Sequence, residues 1–260
     1  MHPLEGHNLS GGYGQAIVIR ELDFAVGRGE WLSLVGPNGS GKSTLLKLLS
    51  AALPAVGGNV QLEGSNIQTL AGEVLARKIA FVPQRAVVPV GLSVYELVSL
   101  GRNPHQPWWQ WRSTSDDRRA VEEALERTGL TAMSDRPVES LSGGEQQRAF
   151  VALALAQRTE ILLLDEPTTH LDLRYQLELL ELLQAINRQQ QVTIVAVLHE
   201  LNLAARYSDR LALLHQGRIR AIGSPEQVLT PGLVAEVFGI EVSVIQTAVG
   251  PQILPLQPCR

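Results

Sequence analysis

The sequence predicts an α/β fold, and three apolar stretches predict it. The first, Trp31-Leu-Ser-Leu-Val35, enters the glycine-rich turn Gly36-Pro-Asn-Gly-Ser-Gly-Lys-Ser-Thr44 and leaves it through the helix-like Leu45-Leu-Lys-Leu-Leu49. The second is Ile161-Leu-Leu-Leu-Asp165, followed after Glu166-Pro167 by an amphipathic stretch over residues 172–189. The third, Val192-Thr-Ile-Val-Ala-Val-Leu198, ends in His199-Glu200. Short apolar runs without alternation are what strands buried on both faces of a sheet require.

The first stretch contains Gly36-x-x-x-x-Gly41-Lys42-Ser43, a phosphate-binding loop pattern. Its glycines let consecutive backbone N–H groups turn inward, and a helix starting near Lys42 adds the positive end of its dipole. Lys42 is expected to reach the β- and γ-phosphates of a nucleoside triphosphate, and Ser43 to place its hydroxyl on Mg²⁺. The strand–turn–helix context separates this pattern from a glycine-rich surface turn.

At 260 residues the chain can form one large α/β domain, or one core with a smaller insert, and 45% hydrophobic residues supply that core. Lys and Arg number 22 against 26 Asp and Glu, a net charge of −4 that gives no electrostatic footprint for nucleic acid. With Cys259 as the only cysteine no intrachain disulfide forms, which fits a reducing compartment. Met1-His-Pro-Leu-Glu-Gly6 lacks the basic and apolar regions of a secretory signal, and no run of about 18 apolar residues could span a bilayer. For a membrane process, a partner must supply the membrane part.

Upstream of the loop, residues 15–35 read as two strands, with Leu22, Phe24 and Val26 alternating with other residues and a turn at residues 27–29. Tyr13, in Gly11-Gly-Tyr-Gly14, is placed on a turn, where it either stacks on a purine or covers the core edge. Pro54 is expected to stop the helix after the loop. Gly57-Gly58 opens a strand over 59–63, a short helix spans 72–77, and the strand Ile79-Ala-Phe-Val82 precedes Pro83-Gln84. A glutamine just past a strand end can ligate a metal through its carbonyl; taken alone it is an ordinary loop residue, and only its neighbours elsewhere in the chain raise it.

Residues 85–158 show no period-two strand and read as a helical insert in the α/β core. Ser93-Val-Tyr-Glu96 is a capping box for a helix ending near Gly101, and a second helix over 116–128 stops at Gly129. The proline-broken loop between them holds Trp108, Trp109 and Trp111, an anchor for a partner or a local mini-core. Ser140-Leu-Ser-Gly-Gly-Glu-Gln-Gln-Arg148 then opens an apolar helix over 149–157. Ser142 with Gly143-Gly144 at its start forms a second anion site. Two such sites with one loop lysine imply two ligands, or one phosphate held between two chains.

Asp165 closes the second apolar run, where phosphate-loop ATPases hold Mg²⁺. Glu166 beside it is placed to polarise an attacking water, the alternative being an acidic pair that caps a helix. The helix over 172–189 carries Leu177, Leu180, Leu183 and Ile186 on one face. His199 can contact a γ-phosphate or serve as a structural histidine. Residues 210–222 read as a hairpin across Gly217, a helix starts at Ser224-Pro-Glu226, and a short strand lies near 242–245. The proline-rich tail from Gly250 is expected to be irregular.

Together, residues 36–44, Gln84, 141–148, 161–166, Asp172 and His199 resemble an ABC-type ATPase cassette along almost the whole chain. The Leu-Ser-Gly-Gly-Glu-Gln-Gln-Arg signature is far more specific than the phosphate loop alone. The resemblance implies a phosphate-loop NTPase core with an antiparallel β subdomain and a helical insert, one ABC ATPase domain over 1–260. Residues 1–84 plus 159–223 would form the catalytic core with the β subdomain, 85–158 the helical insert with the signature, and 224–260 a C-terminal extension. It further implies that Tyr13 stacks on adenine, and that Gly36, Pro37, Asn38, Gly39, Ser40, Gly41, Lys42, Ser43 and Thr44 hold ATP. Ser43, Gln84 and Asp165 would serve Mg²⁺, Glu166 would be the general base, and His199 would bind the γ-phosphate. Ser142, Gly143 and Gly144 would face the γ-phosphate of ATP on an opposite subunit, in a head-to-tail homodimer sandwiching two ATP.

The stretches Thr168-Thr-His-Leu-Asp172, Ser93-Val-Tyr-Glu-Leu-Val98, Gly101-Arg-Asn-Pro104 and Leu198-His-Glu-Leu-Asn-Leu-Ala-Ala-Arg206 are similar to importers of iron–siderophore, haem and cobalamin complexes. The implied function is the ATP-hydrolysing subunit of a ferric-siderophore importer, with haem or cobalamin as alternative cargo. It would sit peripherally at the cytoplasmic face of the cell membrane, on integral-membrane permease subunits, and act indirectly with a substrate-binding protein. A soluble ABC ATPase of DNA repair or translation is the competing reading, but neither a long coiled-coil insert nor a second cassette is visible, and no nucleic acid is expected. A non-hydrolysing regulator is opposed by the presence of Lys42, Asp165, Glu166 and His199.

Overall fold

A computed structural model describes residues 2–84, 86–88, 90–106, 113–169 and 171–259. In chain order, β1 (Leu4–Tyr13), β2 (Ala16–Val26) and β3 (Trp31–Val35) precede α1 (Lys42–Leu49). Then come β4 (Gly57–Leu62), β5 (Ser65–Asn66), α2 (Gly72–Lys78) and β6 (Ile79–Val82). Three helices follow, α3 (Val94–Ser99), α4 (Ser115–Arg127) and α5 (Gly143–Ala156), and then β7 (Ile161–Asp165) and α6 (Leu173–Gln190). The chain continues through β8 (Thr193–Val197), α7 (Leu201–Tyr207), β9 (Arg210–His215) and β10 (Arg218–Gly223). It closes with α8 (Pro225–Val228), α9 (Pro231–Phe238), β11 (Ile240–Thr247) and β12 (Gly250–Pro258). The tryptophans at 108, 109 and 111 lie outside the described residues.

Contacts group the chain into two units, Met1–Leu70 with Thr193–Arg260, and Ala71–Val192. This partition differs from a core with an insert over 85–158, because α5 and α2 pack on β6 and bring that strand in with the helices.

In the first unit, an antiparallel sheet has the order β2-β1-β4-β5. β3 lies between two parallel neighbours, β8 and β9, and β10 pairs antiparallel with β9. Every residue of β3 and β8 is buried, which accounts for their unbroken apolar sequence. β1 was not legible as a strand because its end reads Gly11-Gly12-Tyr13, a turn signal. Those glycines are there for crowding instead: a Cβ on Gly11 would sit 2.6 Å from Leu48 Cδ2, and one on Gly12 1.9 Å from the Ala16 carbonyl oxygen. Tyr13 accordingly ends a strand, paired with Ala16, and is not on an open turn. α1 stops at Leu49, short of Pro54, and Ala51 turns the chain away with a left-handed φ of 55°.

The tail is also ordered, contrary to expectation. β12 pairs antiparallel with β11 despite Pro251, Pro255 and Pro258. Ile253 shows why: its N–H donates to Asn202 Oδ1 at 2.7 Å and so faces away from β11. Pro251 and Pro255 lie two residues to either side of it, where the missing N–H would also point away from the ladder.

In the second unit, β6 and β7 pair in parallel. α3, α4 and α5 enclose a core of Val94, Leu97, Val121, Leu125, Ala149 and Ala152, among others. The capping box expected at Ser93 forms with Glu96, and a further one joins Thr114 and Asp117 at the start of α4. Asp117 is buried with Arg102, whose Nε donates to its Oδ1 at 2.9 Å, while Arg102 Nη1 donates to the Ala156 carbonyl, also at 2.9 Å. Burial pushes the Asp117 carboxyl up, but hydrogen bonds from the Thr114 backbone, Arg102, the Thr114 hydroxyl and Gln106 outweigh it and hold it well below the usual carboxylate range. Arg102→Met strands this charge and is expected to cost about 3–5 kcal/mol in urea unfolding at neutral pH. Because the folded carboxyl is depressed, its contribution is full above the unfolded value of about 4 and fades as pH falls below it, so the deficit should narrow there. A neutral-pH loss below about 1 kcal/mol would contradict the account.

Candidate active site

In the first unit, the phosphate loop leaves the carboxyl end of β3. Gly36, Gly39 and Gly41 have φ of 149°, 78° and 104°, values that side-chain-bearing residues rarely adopt. Gly36 could carry no Cβ, since one would lie 2.2 Å from the Leu214 carbonyl oxygen, and one on Gly41 would lie 2.7 Å from Ile19 Cδ1. At Gly39 nothing lies within 4 Å of that position, so the loop is backed by protein on one side and open on another. Lys42 is 5% exposed, and its Nζ donates to the carbonyls of Gly36 at 2.8 Å and Pro37 at 3.0 Å. The ammonium is thus folded over the loop, where a phosphate would compete with two carbonyls for it. The Leu34↔Val197 register of β3 and β8 brings His199 to the same sheet edge as the loop, and His199 is exposed. Tyr13 is 48% exposed, with Lys47 Nζ 5.4 Å from its ring centroid.

In the second unit, the Val82↔Leu164 register of β6 and β7 brings Gln84 and Glu166 out at one edge. Gln84 Nε2 donates to Glu166 Oε2, and the amide oxygen of Gln84 is the atom of this side chain that could ligate a metal. The Thr169 hydroxyl donates to the same carboxylate oxygen at 3.0 Å. Glu166 has a left-handed φ of 52°, a strained backbone of the kind that surrounding structure tolerates at working sites. Asp165, at the end of β7, is buried.

Ser142 is the N-cap of α5. Its Oγ accepts from the Glu145 N–H at 3.4 Å and donates to Glu145 Oε2 at 2.8 Å. The Ser142 backbone N–H and then its hydroxyl hold the Glu145 carboxyl below its ordinary value. A Cβ on Gly143 would meet nothing within 4 Å, so the first turn of the helix is approachable there.

The profile of the ABC transporter family matches residues 19–169. The chain belongs to the ABC transporter family. It is 43% identical over 256 residues to the ferric enterobactin transport ATP-binding protein FepC of Escherichia coli (strain K12), covering 97% of this chain and 94% of the relative. It is 47% identical to the probable siderophore transport system ATP-binding protein YusV of Bacillus subtilis (strain 168), covering 95% and 89%. A solved candidate metal-chelate type ABC transporter, in an inward-facing conformation, superposes with a TM-score of 0.85 at 29% identity over 98% of each chain. The dimeric post-hydrolysis ATP-binding cassette MJ0796, bound to ADP and Pi, superposes with a TM-score of 0.74 at 28% identity, covering 85% and 98%. The present cassette is an ABC ATPase, and its nucleotide is ATP.

Three supports of this ABC cassette were not assigned from sequence. Thr169 lies within a stretch quoted for another purpose, and its bond to Glu166 follows from the tight turn in which the Thr169 N–H returns to the Glu166 carbonyl at 3.2 Å. Gly217 was legible only as a hairpin turn, yet its N–H donates to the Ser40 carbonyl at 3.0 Å and props the phosphate loop. Lys47 stands four residues, one helical turn, beyond Ser43, a spacing that could have flagged it. Among the described residues, no three His, Cys, Asp or Glu side chains group as a metal site. Taken singly, the side chains of Ser43, Gln84 and Asp165 each carry an oxygen donor of the kind that Mg²⁺, a hard cation, prefers.

Proposed function

We propose that the chain is the ATP-hydrolysing subunit of a membrane importer of ferric siderophore. The observation that carries the hydrolytic part is the Glu166 carboxylate, held by Gln84 and Thr169 at the end of a buried strand in a chain that also carries an intact phosphate loop. In this reading, Tyr13 stacks on adenine, residues 36–44 cradle the phosphates, and Lys42 exchanges the loop carbonyls for phosphate oxygens. Ser43, Gln84 and Asp165 hold Mg²⁺, which offsets phosphate charge. Glu166 takes a proton from the attacking water and His199 holds the γ-phosphate in line. Ser142, Gly143 and Gly144 contact the γ-phosphate of ATP bound to a second copy, so that two ATP are sandwiched in a homodimer and hydrolysis releases it.

Relatives named for ferric enterobactin and siderophore transport support the cargo, as does the match to a metal-chelate transporter. Among the described residues no helix is long and apolar enough to cross a membrane, so membrane action would come from separate permease subunits, with this chain peripheral at their cytoplasmic face and a substrate-binding protein beyond them. A deletion strain tests this through uptake of labelled ferric siderophore, haem and cobalamin. Ferric-siderophore uptake should be lost and restored by the wild-type chain, but not by Glu166→Gln. Loss of haem or cobalamin uptake instead would overturn the cargo, and loss of none would overturn the importer reading.

A further inference from the structure

The signature helix meets the Glu166-bearing segment at two points one turn apart. At the first, a Cβ on Gly144 would lie in ordinary contact with Tyr175 Cγ, at 3.9 Å, and 3.3 Å from Leu171 Cδ2, close enough that this side chain would give by a few tenths of an ångström. At the second, the Arg148 guanidinium carbon stands 5.6 Å from the centroid of the Tyr175 ring. Residues 144 and 148 are four apart, on the same face of α5. Arg148 Nε is buried and has no hydrogen-bond partner among the described residues. Such a donor is costly to leave without an acceptor, and the contact with the aromatic ring is an attraction that offsets part of that cost.

From Tyr175, short links run back to the base. The Tyr175 N–H donates to Asp172 Oδ1 at 3.1 Å, and Gln176 Nε2 donates to the Leu171 carbonyl at 3.0 Å. The Leu171 N–H returns to the Thr168 carbonyl at 3.3 Å, and the Thr169 hydroxyl reaches the Glu166 carboxylate at 3.0 Å. Five residues lie between Glu166 and the N-cap Asp172, and these bonds tie Thr168, Thr169 and Leu171 among them to their neighbours. Displacement of α5 at its first turn is therefore passed to the turn that orients Glu166.

We propose that Arg148 and Tyr175 are positioning residues for hydrolysis, a stacked pair that ties the orientation of Glu166 to the placement of the signature helix. This rests on Glu166 being the base. Neither side chain touches the reacting atoms. Their role is to make the carboxylate productive when the start of α5 is seated on a ligand. Tyr175 is 40% exposed, so its substitution is compatible with folding.

The test measures steady-state ATPase activity of the full chain for Tyr175→Leu, Tyr175→Phe, Arg148→Gln and the Leu/Gln double variant, with Glu166→Gln alongside. Tyr175→Leu and Arg148→Gln should each lower kcat by about tenfold or more, with KM for ATP within about twofold, because a misplaced base costs rate and not binding. Tyr175→Phe keeps the ring face and should keep kcat within about twofold. The double variant should be no worse than the weaker single, as expected of one shared contact. Wild-type kcat in Tyr175→Leu, equal loss in Tyr175→Phe, or multiplying losses in the double variant would overturn the pair. Should Glu166→Gln retain wild-type turnover, the base assignment falls and the pair with it; if it loses turnover while Tyr175→Leu does not, only the pair falls.

Discussion

Glu166→Gln is expected to lower ATP turnover by about 10²–10⁴-fold while leaving ATP binding intact. The substitution keeps the shape and one oxygen to accept from Gln84 and Thr169, and it removes the negative charge and with it the capacity to take a proton. Left-handed φ at residue 166 is unchanged by it, so the segment up to Asp172 should hold its course. ATPase assays at saturating ATP, set beside equilibrium binding of ATP to the same variant, check both halves. Near-wild-type turnover would remove Glu166 as the base.

Lys42→Ala is expected to act on the other half of the cycle, weakening ATP by about 10–100-fold or more. Lys42 is buried, and its ammonium is held by the carbonyls of Gly36 and Pro37. Its removal leaves those carbonyls facing the space the phosphates would fill, with no cation between them. Burial makes the loss larger than that of a surface charge, since little water screens the interaction. Titration with ATP should give this shift; an unchanged affinity would contradict the role of the loop lysine.

The sequence exposed those parts of the fold where one residue pattern answers one physical demand. Unbroken apolar runs predicted β3, β7 and β8 because strands buried on both faces have no polar side. The capping box at Ser93 predicted α3 because a helix start must satisfy its orphan N–H groups, whereas the box that Ser142 forms with Glu145 at the start of α5 went unread behind the anion-site reading of the same residues. What failed was reading Gly and Pro as punctuation. Gly11 and Gly12 end a strand whose neighbours leave no room for a Cβ, and Pro251 and Pro255 occupy a strand where no N–H is wanted. Both depend on what lies across the chain, which local pattern does not carry. The same holds for the candidate residues: motif spacing alone proposes Lys42, Asp165 and Glu166, whereas the bond of Thr169 to Glu166 and that of Gly217 to Ser40 come from tertiary placement.

The central claim is that the phosphate loop is half of an ATP site completed by the signature of a second copy. The molecular mass of Glu166→Gln in solution, with and without saturating Mg²⁺-ATP, tests it most directly. The account predicts one chain without nucleotide and two with ATP, and a return to one chain when Ser142→Arg is added. A mass of one chain at saturating, demonstrably bound ATP would contradict it.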